Sequence, residues 1–279
     1  MPDLTGKVAI VTGAGRPRGI GRAAAIALAR AGANVVVTDL AAPGPKVAGL
    51  ATVAEDASGL QDAVVEIESL GRKGFPISCD ITDEQSVHEL VDAAVAEFGR
   101  IDVLFNNAGT PVGVKPFLQL SNDDWATSWE VNVMGIVFMC RAVIPVMQRN
   151  GGGSIINNSS ASGLRALPDY SAYTATKHAV IGLSKTLALE YGRDGIRVNA
   201  ICPGDIDTDM TDVGMALAVE FMGVDPKAQE SLAPLDAIAL GRRGTADEIG
   251  RVVTWLASDE ASYVTGSAQL IDGGLLEGM

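Results

Sequence analysis

The sequence has few of the residues that build metal centres and disulfide frameworks. Its 279 residues include two histidines and three cysteines. Cys79, Cys140 and Cys202 lie about sixty residues apart, without the paired spacing of a disulfide framework or a thiolate site. No cluster of histidine, cysteine and carboxylate residues has ligand spacing. The sequence therefore predicts no metal site, and we expect the thiols to be reduced and buried.

Positive charge and long apolar runs are also scarce. Lys and Arg number 21 against 34 Asp and Glu, a net charge of −13 that repels phosphate backbones and anionic lipid heads. Nucleic acid and membranes are therefore poor partners. The most apolar stretch, residues 131–147, is interrupted by Asn132, Arg141 and Pro145. The start of the chain carries Asp3 and lacks a charged-then-apolar signal segment, so we expect a cytoplasmic protein.

Short β-branched runs alternate with helical segments along the chain. The runs are apolar on both faces, as in a parallel sheet covered by helices on both sides; they are residues 8–11, 35–37, 103–105, 155–156, 198–201 and 268–271. Helices are predicted between them, at residues 20–31, 83–98, 123–148 and 171–191. The pattern predicts a single α/β domain over residues 1–279, with a doubly wound parallel sheet of the Rossmann type.

Two stretches interrupt this alternation. Residues 40–59 are rich in proline and glycine, which predicts an extended loop near an adenosine site. Residues 207–244 are rich in Met, Gly, Asp and Pro, which predicts a lid over the substrate. The alternative for both stretches is plain surface decoration.

A glycine-rich turn follows the first strand and precedes an alanine-rich helix. Glycines at positions 13, 15, 19 and 21 allow a tight turn that brings backbone amides close to a pyrophosphate at a helix N-terminus. Asp39, at the end of the second strand, is placed to accept hydrogen bonds from an adenosine ribose and to repel a 2′-phosphate. Arg16 or Arg18 could instead pair with that phosphate. The acid favours NAD over NADP.

Tyr173 and Lys177 are spaced by one helical turn in the predicted helix 171–191, so both side chains share a face. A phenol with a pKa near 10 is a poor base at neutral pH, and a nearby ammonium group favours the phenolate. The spacing also arises by accident on many helices. Nonetheless, it makes Tyr173 a candidate acid/base.

Several motifs together resemble the short-chain dehydrogenase/reductase family in its short, single-domain form. Thr12, Gly13, Gly19 and Gly21 fit its TGxxxGxG turn, although five residues separate Gly13 from Gly19 where the family has three. The remaining matches are Asp80-Ile81, Asn106-Asn107-Ala108-Gly109, Pro203-Gly204 with Ile206 and Thr208, and Asp272-Gly273-Gly274. Residues 40–59 are longer than in the usual member.

The resemblance implies a set of functional residues. The catalytic tetrad would be Asn132, Ser160, Tyr173 and Lys177. The cofactor would contact Gly13, Gly15, Arg18, Gly19, Ile20, Asp39, Asp80, Ile81, Asn107, Ala108, Gly109, Tyr173, Lys177, Pro203, Gly204, Ile206 and Thr208. Ser160 would polarise the substrate oxygen, Tyr173 would transfer the proton, Lys177 would also hold ribose hydroxyls, and Asn132 would anchor a water.

These residues predict an NAD-dependent oxidoreductase that interconverts a secondary alcohol and a ketone. The alternatives are an NADPH-dependent ketoreductase and a non-catalytic nucleotide-sensing relative, which the complete tetrad disfavours. The substrate pocket is predicted from Ser162, Leu164, Tyr170 and Asp205, and a medium-sized substrate with a substantial carbon skeleton is favoured. Arg165 could bind a carboxylate or point to water. The resemblance implies a homotetramer paired through helices 123–148 and 171–191.

Overall fold

The β-branched runs pair side by side in one parallel sheet. The computed structural model describes residues 2–40, 46–47, 50–51, 58–222 and 235–276. The elements in chain order are β1 (Val8–Thr12), α1 (Ile20–Arg30), β2 (Asn34–Asp39), β3 (Lys46–Val47), β4 (Leu50–Ala51), α2 (Ser58–Ser69), β5 (Gly74–Ser78), α3 (Glu84–Phe98), β6 (Val103–Asn106), α4 (Asn122–Trp129), α5 (Gly135–Arg149), β7 (Gly153–Asn158), α6 (Ser171–Tyr191), β8 (Ile196–Pro203), β9 (Ile206–Asp207), α7 (Asp209–Met222), β10 (Gly244–Thr245), α8 (Ala246–Ala257) and β11 (Ala268–Ile271).

The strand order explains where a ligand site can form. Seven strands lie in the order β11-β8-β7-β6-β1-β2-β5, and every neighbouring pair is parallel. The chain moves from β1 to β2 and β5, then returns to the other side of β1 with β6. The connections after β1 and β6 therefore diverge above the carboxyl ends of these strands. Such a switch point leaves a crevice, and ligands of open α/β sheets bind there.

The two faces of the sheet bury two separate cores. Val11 and Val35 pack with side chains of α1, α2 and α8 on one face. Ile10 and Val36 pack with α3, α5 and α6 on the other. This alternation along each strand is the period-two pattern of a sheet covered on both sides. The doubly wound α/β fold is therefore confirmed.

The ends of α3 show how local sequence sets helix boundaries. The Asp83 side chain accepts a hydrogen bond from Gln85 N, so Asp83 caps the helix, which begins at Glu84. Gly99 ends the helix at φ 75°, in the left-handed region that glycine adopts without a steric penalty. The predicted helix over residues 83–98 is thus correct to within one residue.

The predicted helix over residues 123–148 is continuous but irregular. A five-residue π-helical turn, Glu130–Met134, joins α4 to α5. In the described part of the chain, this Asn122–Arg149 stretch alone is long and apolar enough to cross a membrane, with a mean hydropathy of 1.6. However, 61% of its most apolar window is buried inside the fold, and Met139 and Met147 are fully buried in the core. Its apolar character is therefore that of a core helix.

Strand β5 and the stretches 40–59 and 207–244 either differ from the sequence-based prediction or are described only in part. The edge strand β5 was not predicted, because Gly74 and Pro76 obscure it; a proline without a backbone N–H is tolerated at a sheet edge. Within 40–59, β3 pairs antiparallel with β4 and α2 begins at Ser58, while positions 41–45, 48–49 and 52–57 lie outside the described residues. Within 207–244, α7 is described, and positions 223–234 lie outside the described residues.

All three cysteines are buried free thiols. Cys79 follows the edge strand β5, Cys140 lies in α5, and Cys202 lies in β8. Burial raises the pKa of Cys140 to about 12 and that of Cys202 to about 11. The expectation of reduced, buried thiols is met.

Candidate active site

A cavity of about 500 Å³ lies above the carboxyl ends of the central strands. Most of the residues predicted for the site line it. They are Gly13, Gly19, Ile20, Asp39, Asn107, Ala108, Gly109, Ser160, Ser162, Tyr170, Tyr173, Lys177, Pro203, Gly204, Asp205, Ile206 and Thr208. Six predicted residues do not line it: Gly15, Arg18, Asp80, Ile81, Asn132 and Leu164.

The glycine turn forms one end of this cavity. Gly13 has φ +68°, and a Cβ there would lie 2.9 Å from Ala108 Cα, so the turn requires glycine. Helix α1 begins after Gly19, which offers no side-chain cap, and its first turn contains no acidic residue. The first backbone N–H groups of α1 therefore have no side-chain acceptor of their own. This is the donor set that an anionic pyrophosphate requires.

A hydrogen-bond network fixes the turn against β6. The Thr12 hydroxyl accepts bonds from Asn107 N and Ala108 N, each at 3.0 Å. The Asn107 amide donates to the carbonyls of Thr12 at 2.9 Å and Gly13 at 3.1 Å. The two strand ends are thus tied at the switch point. Thr12 matched the turn motif but was not predicted as a site residue.

Asp39 lies at the same end, as the last residue of β2. Its Oδ2 accepts a bond from Gly15 N at 2.8 Å, and its Oδ1 accepts one from Leu40 N at 3.0 Å. Burial raises the pKa of this carboxyl, while those two bonds and the charge of Arg16 lower it. Gly15 therefore positions the acid and does not itself line the cavity.

The two arginines of the turn have different surroundings. Arg16 lines the cavity near Asp39. Arg18 instead contacts the segment around the start of α7, with distances of 2.8 Å to Asp207 Oδ1 and 2.9 Å to Asp212 Oδ2. The lengthened turn thus places the Arg18 guanidinium beside the start of α7, in the predicted lid.

Helix α6 presents Tyr173 and Lys177 to the middle of the cavity. Lys177 Nζ lies 5.4 Å from the centroid of the Tyr173 ring and donates to the Asn158 carbonyl at 3.0 Å. Ser160 lies two residues after the end of β7, and its hydroxyl accepts a bond from Ser162 N at 3.1 Å. The three side chains all line this cavity, with the Ser160 hydroxyl near the Tyr173 phenol.

The electrostatics of this group differ from the sequence-based expectation. Burial raises the pKa of Tyr173, and the hydrogen bond with Ser160 partly offsets the rise. Burial also lowers the pKa of Lys177 to about 8. The expected lowering of the Tyr173 pKa by the ammonium group is not found, because burial disfavours the charged form of both residues. At neutral pH the phenol therefore carries its proton.

Asn132 is fully buried in the π-helical turn. Its Oδ1 accepts a bond from Thr110 N at 2.9 Å, and its Nδ2 donates to Thr110 O at 3.0 Å. A Cβ on Gly109 would lie 3.0 Å from that Oδ1 and 3.6 Å from Lys177 Nζ. Asn132 thus positions the loop beside the lysine, and its predicted role as a water anchor stays a prediction.

The substrate end combines polar and apolar walls. Tyr170 stacks edge-on against Tyr173 at 6.2 Å, and burial raises its pKa to about 12. Asp205 is paired with Arg243 at 3.3 Å. The predicted lid contributes α7, whose buried Val213 and Leu217 pack with Val114 and the two tyrosines. Leu164 is 43% exposed and lies outside this wall.

Fifteen wall residues stand outside the assigned site residues, although Arg16, Arg165 and those within 207–244 were raised as candidates from the sequence. They are Arg16, Thr110, Pro111, Val114, Asn158, Ser159, Ala161, Arg165, Leu167, Pro168, Met210, Thr211, Gly214, Leu275 and Leu276. Leu276 lies at the cavity wall because its backbone N donates a hydrogen bond to Asp272 Oδ2 at 2.8 Å. The Asp-Gly-Gly turn was the available signal for this contact. The predicted Asp80 and Ile81 lie beyond the cavity, where a Cβ on Gly135 would lie 2.5 Å from Ile81 Cδ1.

No group of three or more His, Cys, Asp or Glu side chains suited to a metal ion occurs in the described ranges. The polar groups of the cavity are serines, threonines, asparagines, tyrosines, a lysine, arginines, carboxylates and backbone amides. This set can bind a nucleotide and move a proton to or from a substrate oxygen.

The comparisons agree with this geometry. A family model described as enoyl-(acyl carrier protein) reductase matches residues 13–276. The chain is 41% identical over 274 residues to the short chain dehydrogenase/reductase astE of Aspergillus oryzae, covering 98% of this chain and 96% of that protein. The crystal structure of carveol dehydrogenase from Mycobacterium avium in complex with NAD is similar, with a TM-score of 0.89, 29% identity, and coverage of 99% of this chain and 100% of that one.

A further solved structure is 7α-hydroxysteroid dehydrogenase complexed with NADH and 7-oxo glycochenodeoxycholic acid. It has a TM-score of 0.82 and 34% identity, and the match covers 98% of this chain and 95% of that one. The similarity to all three proteins spans nearly the whole chain. The chain belongs to the short-chain dehydrogenase/reductase family of oxidoreductases.

Proposed function

We propose that this protein interconverts a secondary alcohol and a ketone with NAD as its cofactor. The observation that carries the proposal is the convergence of Ser160, Tyr173 and Lys177 in one cavity whose other end holds Asp39. One end has groups for a dinucleotide, and the middle has groups for acid/base chemistry on an oxygen.

The residues present fit a dinucleotide. The close approach at Gly13 and the uncapped start of α1 suit a pyrophosphate, and Asp39 suits ribose hydroxyls. Lys177 would also hold ribose hydroxyls, and Pro203 to Thr208 would lie beside the nicotinamide. A bound nicotinamide would supply the hydride acceptor for the alcohol and the hydride donor for the ketone.

Ser160, Tyr173, Lys177 and Asn132 would each have a different role around the reacting oxygen. Ser160 orients and polarises the substrate oxygen by hydrogen bonding. Tyr173, protonated at neutral pH, donates its proton to a ketone oxygen, and in the reverse direction the phenolate takes the proton of the alcohol. Lys177, with a pKa of about 8, holds a positive charge next to the phenol at neutral pH. Asn132 positions Thr110 and so fixes the loop beside these groups.

NAD is favoured over NADP by the surroundings of the two turn arginines. The carboxylate of Asp39 would lie beside the ribose 2′ position and repel a phosphate there. Arg18, one of two candidate partners for such a phosphate, is engaged by Asp207 and Asp212. Arg16 lines the cavity and could pair with a 2′-phosphate, so an NADPH-dependent ketoreductase is the second candidate function.

The substrate class follows from the apolar part of the cavity wall. Val114, Leu167 and Met210 line the cavity together with Leu275 and Leu276. Such a wall excludes water and favours a medium-sized substrate with a substantial carbon skeleton.

Assembly as a homotetramer and a cytoplasmic location complete the proposal. A groove of about 320 Å³ lies between α5 and α6, lined by side chains such as Ile144, Leu183 and Leu187. Pairing of these helices with a second subunit would cover it. Light scattering after size-exclusion chromatography tests this part, and a monomer at micromolar concentration would contradict it.

The function is tested by screening secondary alcohols with NAD for the absorbance of NADH. Tyr173→Phe removes the proton-transferring hydroxyl and should abolish turnover, while a thermal shift with NADH should persist. Tyr263→Phe is the matched control, since Tyr263 is fully exposed at 102%. Turnover retained by the Tyr173 variant would refute the assignment.

A further inference from the structure

Arg165 has an unusual position for a cation. It lies in the segment between Ser160 and α6 and lines the cavity. Its Nη1 is buried and has no hydrogen-bond partner in the part of the chain that the structure describes. A guanidinium has N–H donors and no acceptor, so this buried N–H group needs an acceptor from another group. A buried donor without an acceptor is unfavourable unless a ligand supplies one.

The other charged side chains that line the cavity each interact with another described residue. Among the described residues that line it, the carboxylate of Asp205 pairs with Arg243 at 3.3 Å. The carboxylate of Asp39 is under the influence of Arg16, whose charge lowers its pKa. Lys177 donates to the Asn158 carbonyl at 3.0 Å. No ion pair engages Arg165 within the described ranges, so its charge lacks a partner among those residues.

The sheet separates Arg165 from the dinucleotide end. Arg165 follows β7, and Asp39 ends β2, which lies three strands away in the order β7-β6-β1-β2. Adjacent strands are about 4.8 Å apart, so the two strand ends are separated by roughly 14 Å. The Asp39 end, where an adenosine 2′-phosphate would bind, therefore lies well away from the strand that precedes Arg165. Its neighbours in sequence that line the cavity are Ser160 and Ser162 on one side, and Leu167 and Pro168 on the other.

We propose that the substrate carries a carboxylate, separated by its carbon skeleton from the reacting alcohol or ketone carbon, and that Arg165 binds this carboxylate. The inference rests on the proposed function, whose substrate class it narrows to hydroxy acids and oxo acids. The carboxylate gives the Arg165 guanidinium the counter-charge that no described residue supplies, and the apolar wall contacts the skeleton between the two polar ends. Arg165 is thus a specificity residue.

Two matched pairs of ketones test the proposal: 4-oxocyclohexanecarboxylate with its carboxamide, and 4-oxopentanoate with its amide. Each pair differs only in the charge that Arg165 would recognise. With NADH, the wild-type enzyme should have a higher kcat/KM for the acid of at least one pair. Arg165→Met should lower the acid-to-amide ratio by at least about tenfold, mainly through KM, because a hydrogen bond to a charged group is lost. Arg165→Lys, which keeps the charge, should restore part of the ratio.

Arg193→Met is the control, since Arg193 is an exposed arginine just beyond the far end of α6. It should leave the ratio unchanged. Thermal shifts in the presence of NADH provide a readout that does not need turnover. The acid of at least one pair should raise the Tm of wild type and of Tyr173→Phe, and it should not raise that of Arg165→Met.

The outcomes separate this inference from the proposed function. Equal kinetics and equal thermal shifts for acid and amide in both pairs, or an unchanged preference in Arg165→Met, would overturn the carboxylate proposal. Turnover of neutral alcohols would then leave the proposed function intact. Conversely, Arg165-dependent binding of the acids by an enzyme that turns over no alcohol or ketone would refute the proposed function alone.

Discussion

The buried ammonium of Lys177 should make the active site costly to fold. Its side chain is 5% exposed, and burial lowers its pKa from 10.5 to about 8. Each pKa unit corresponds to about 1.4 kcal/mol, so the charged form is disfavoured in the folded state by about 3 kcal/mol. Lys177→Met removes this cost. It also removes the hydrogen bond to the Asn158 carbonyl at 3.0 Å, which contributes about 1 kcal/mol.

The net effect should depend on pH in a definite direction. Between pH 8 and 10.5 the folded wild type binds fewer protons than the unfolded chain, so its stability rises with pH. Below pH 8 the full cost is present, and Lys177→Met should be more stable by about 2 kcal/mol, or about 4 °C in Tm. Above pH 10.5 both states of the wild type hold a neutral amine. The variant should then be less stable by about 1 kcal/mol.

Urea or thermal unfolding of both proteins, without dinucleotide and at equal concentration, measures this difference. Lys185→Met is the matched control, because Lys185 is an exposed lysine on the same helix. Its effect on the free energy of unfolding should be small and independent of pH. A Lys177 variant that is less stable than wild type at pH 7 would refute the reasoning, as would a difference that does not change with pH.

Two further predictions concern the cofactor end and the lid. Asp39→Ser should lower the ratio of kcat/KM with NAD to kcat/KM with NADP, because the negative charge beside the 2′ position is lost. An unchanged ratio would show that Arg16, and not Asp39, determines the cofactor preference. Arg18→Met should raise KM for the substrate by about threefold with little change in Tm, since exposed ion pairs contribute less than about 1 kcal/mol each. Salt at 0.5 M should reproduce this rise in wild type and not in the variant, and equal salt effects would contradict it.

Local patterns were sufficient for the fold and the centre of the site. The β-branched runs, including that of β1, predicted strands, because burial on both faces leaves a continuous apolar signature. The one-turn spacing of Tyr173 and Lys177 predicted a shared face, and α6 has the predicted boundaries. The alternation of helix and strand then fixed the switch point.

Features that depend on distant contacts were not predictable in the same way. The direction of Arg18 depends on acids near α7, almost two hundred residues away in sequence. The raised pKa of Tyr173 depends on burial, which the spacing to the lysine does not report. The contribution of Leu276 depends on how the chain folds back after β11. The missing partner of Arg165 is likewise a property of the assembled cavity.

The reactivity of the three buried thiols can report which regions of the protein become exposed when it unfolds. Thiolates react with alkylating reagents and thiols do not, so Cys140 and Cys202, with pKa values of about 12 and 11, are protected until their surroundings come apart. Cys79 sits beside the edge of the sheet, Cys140 beneath it on a helix, and Cys202 near the opposite edge. Pulsed alkylation followed by mass spectrometry would therefore time the exposure of three regions in one unmodified protein.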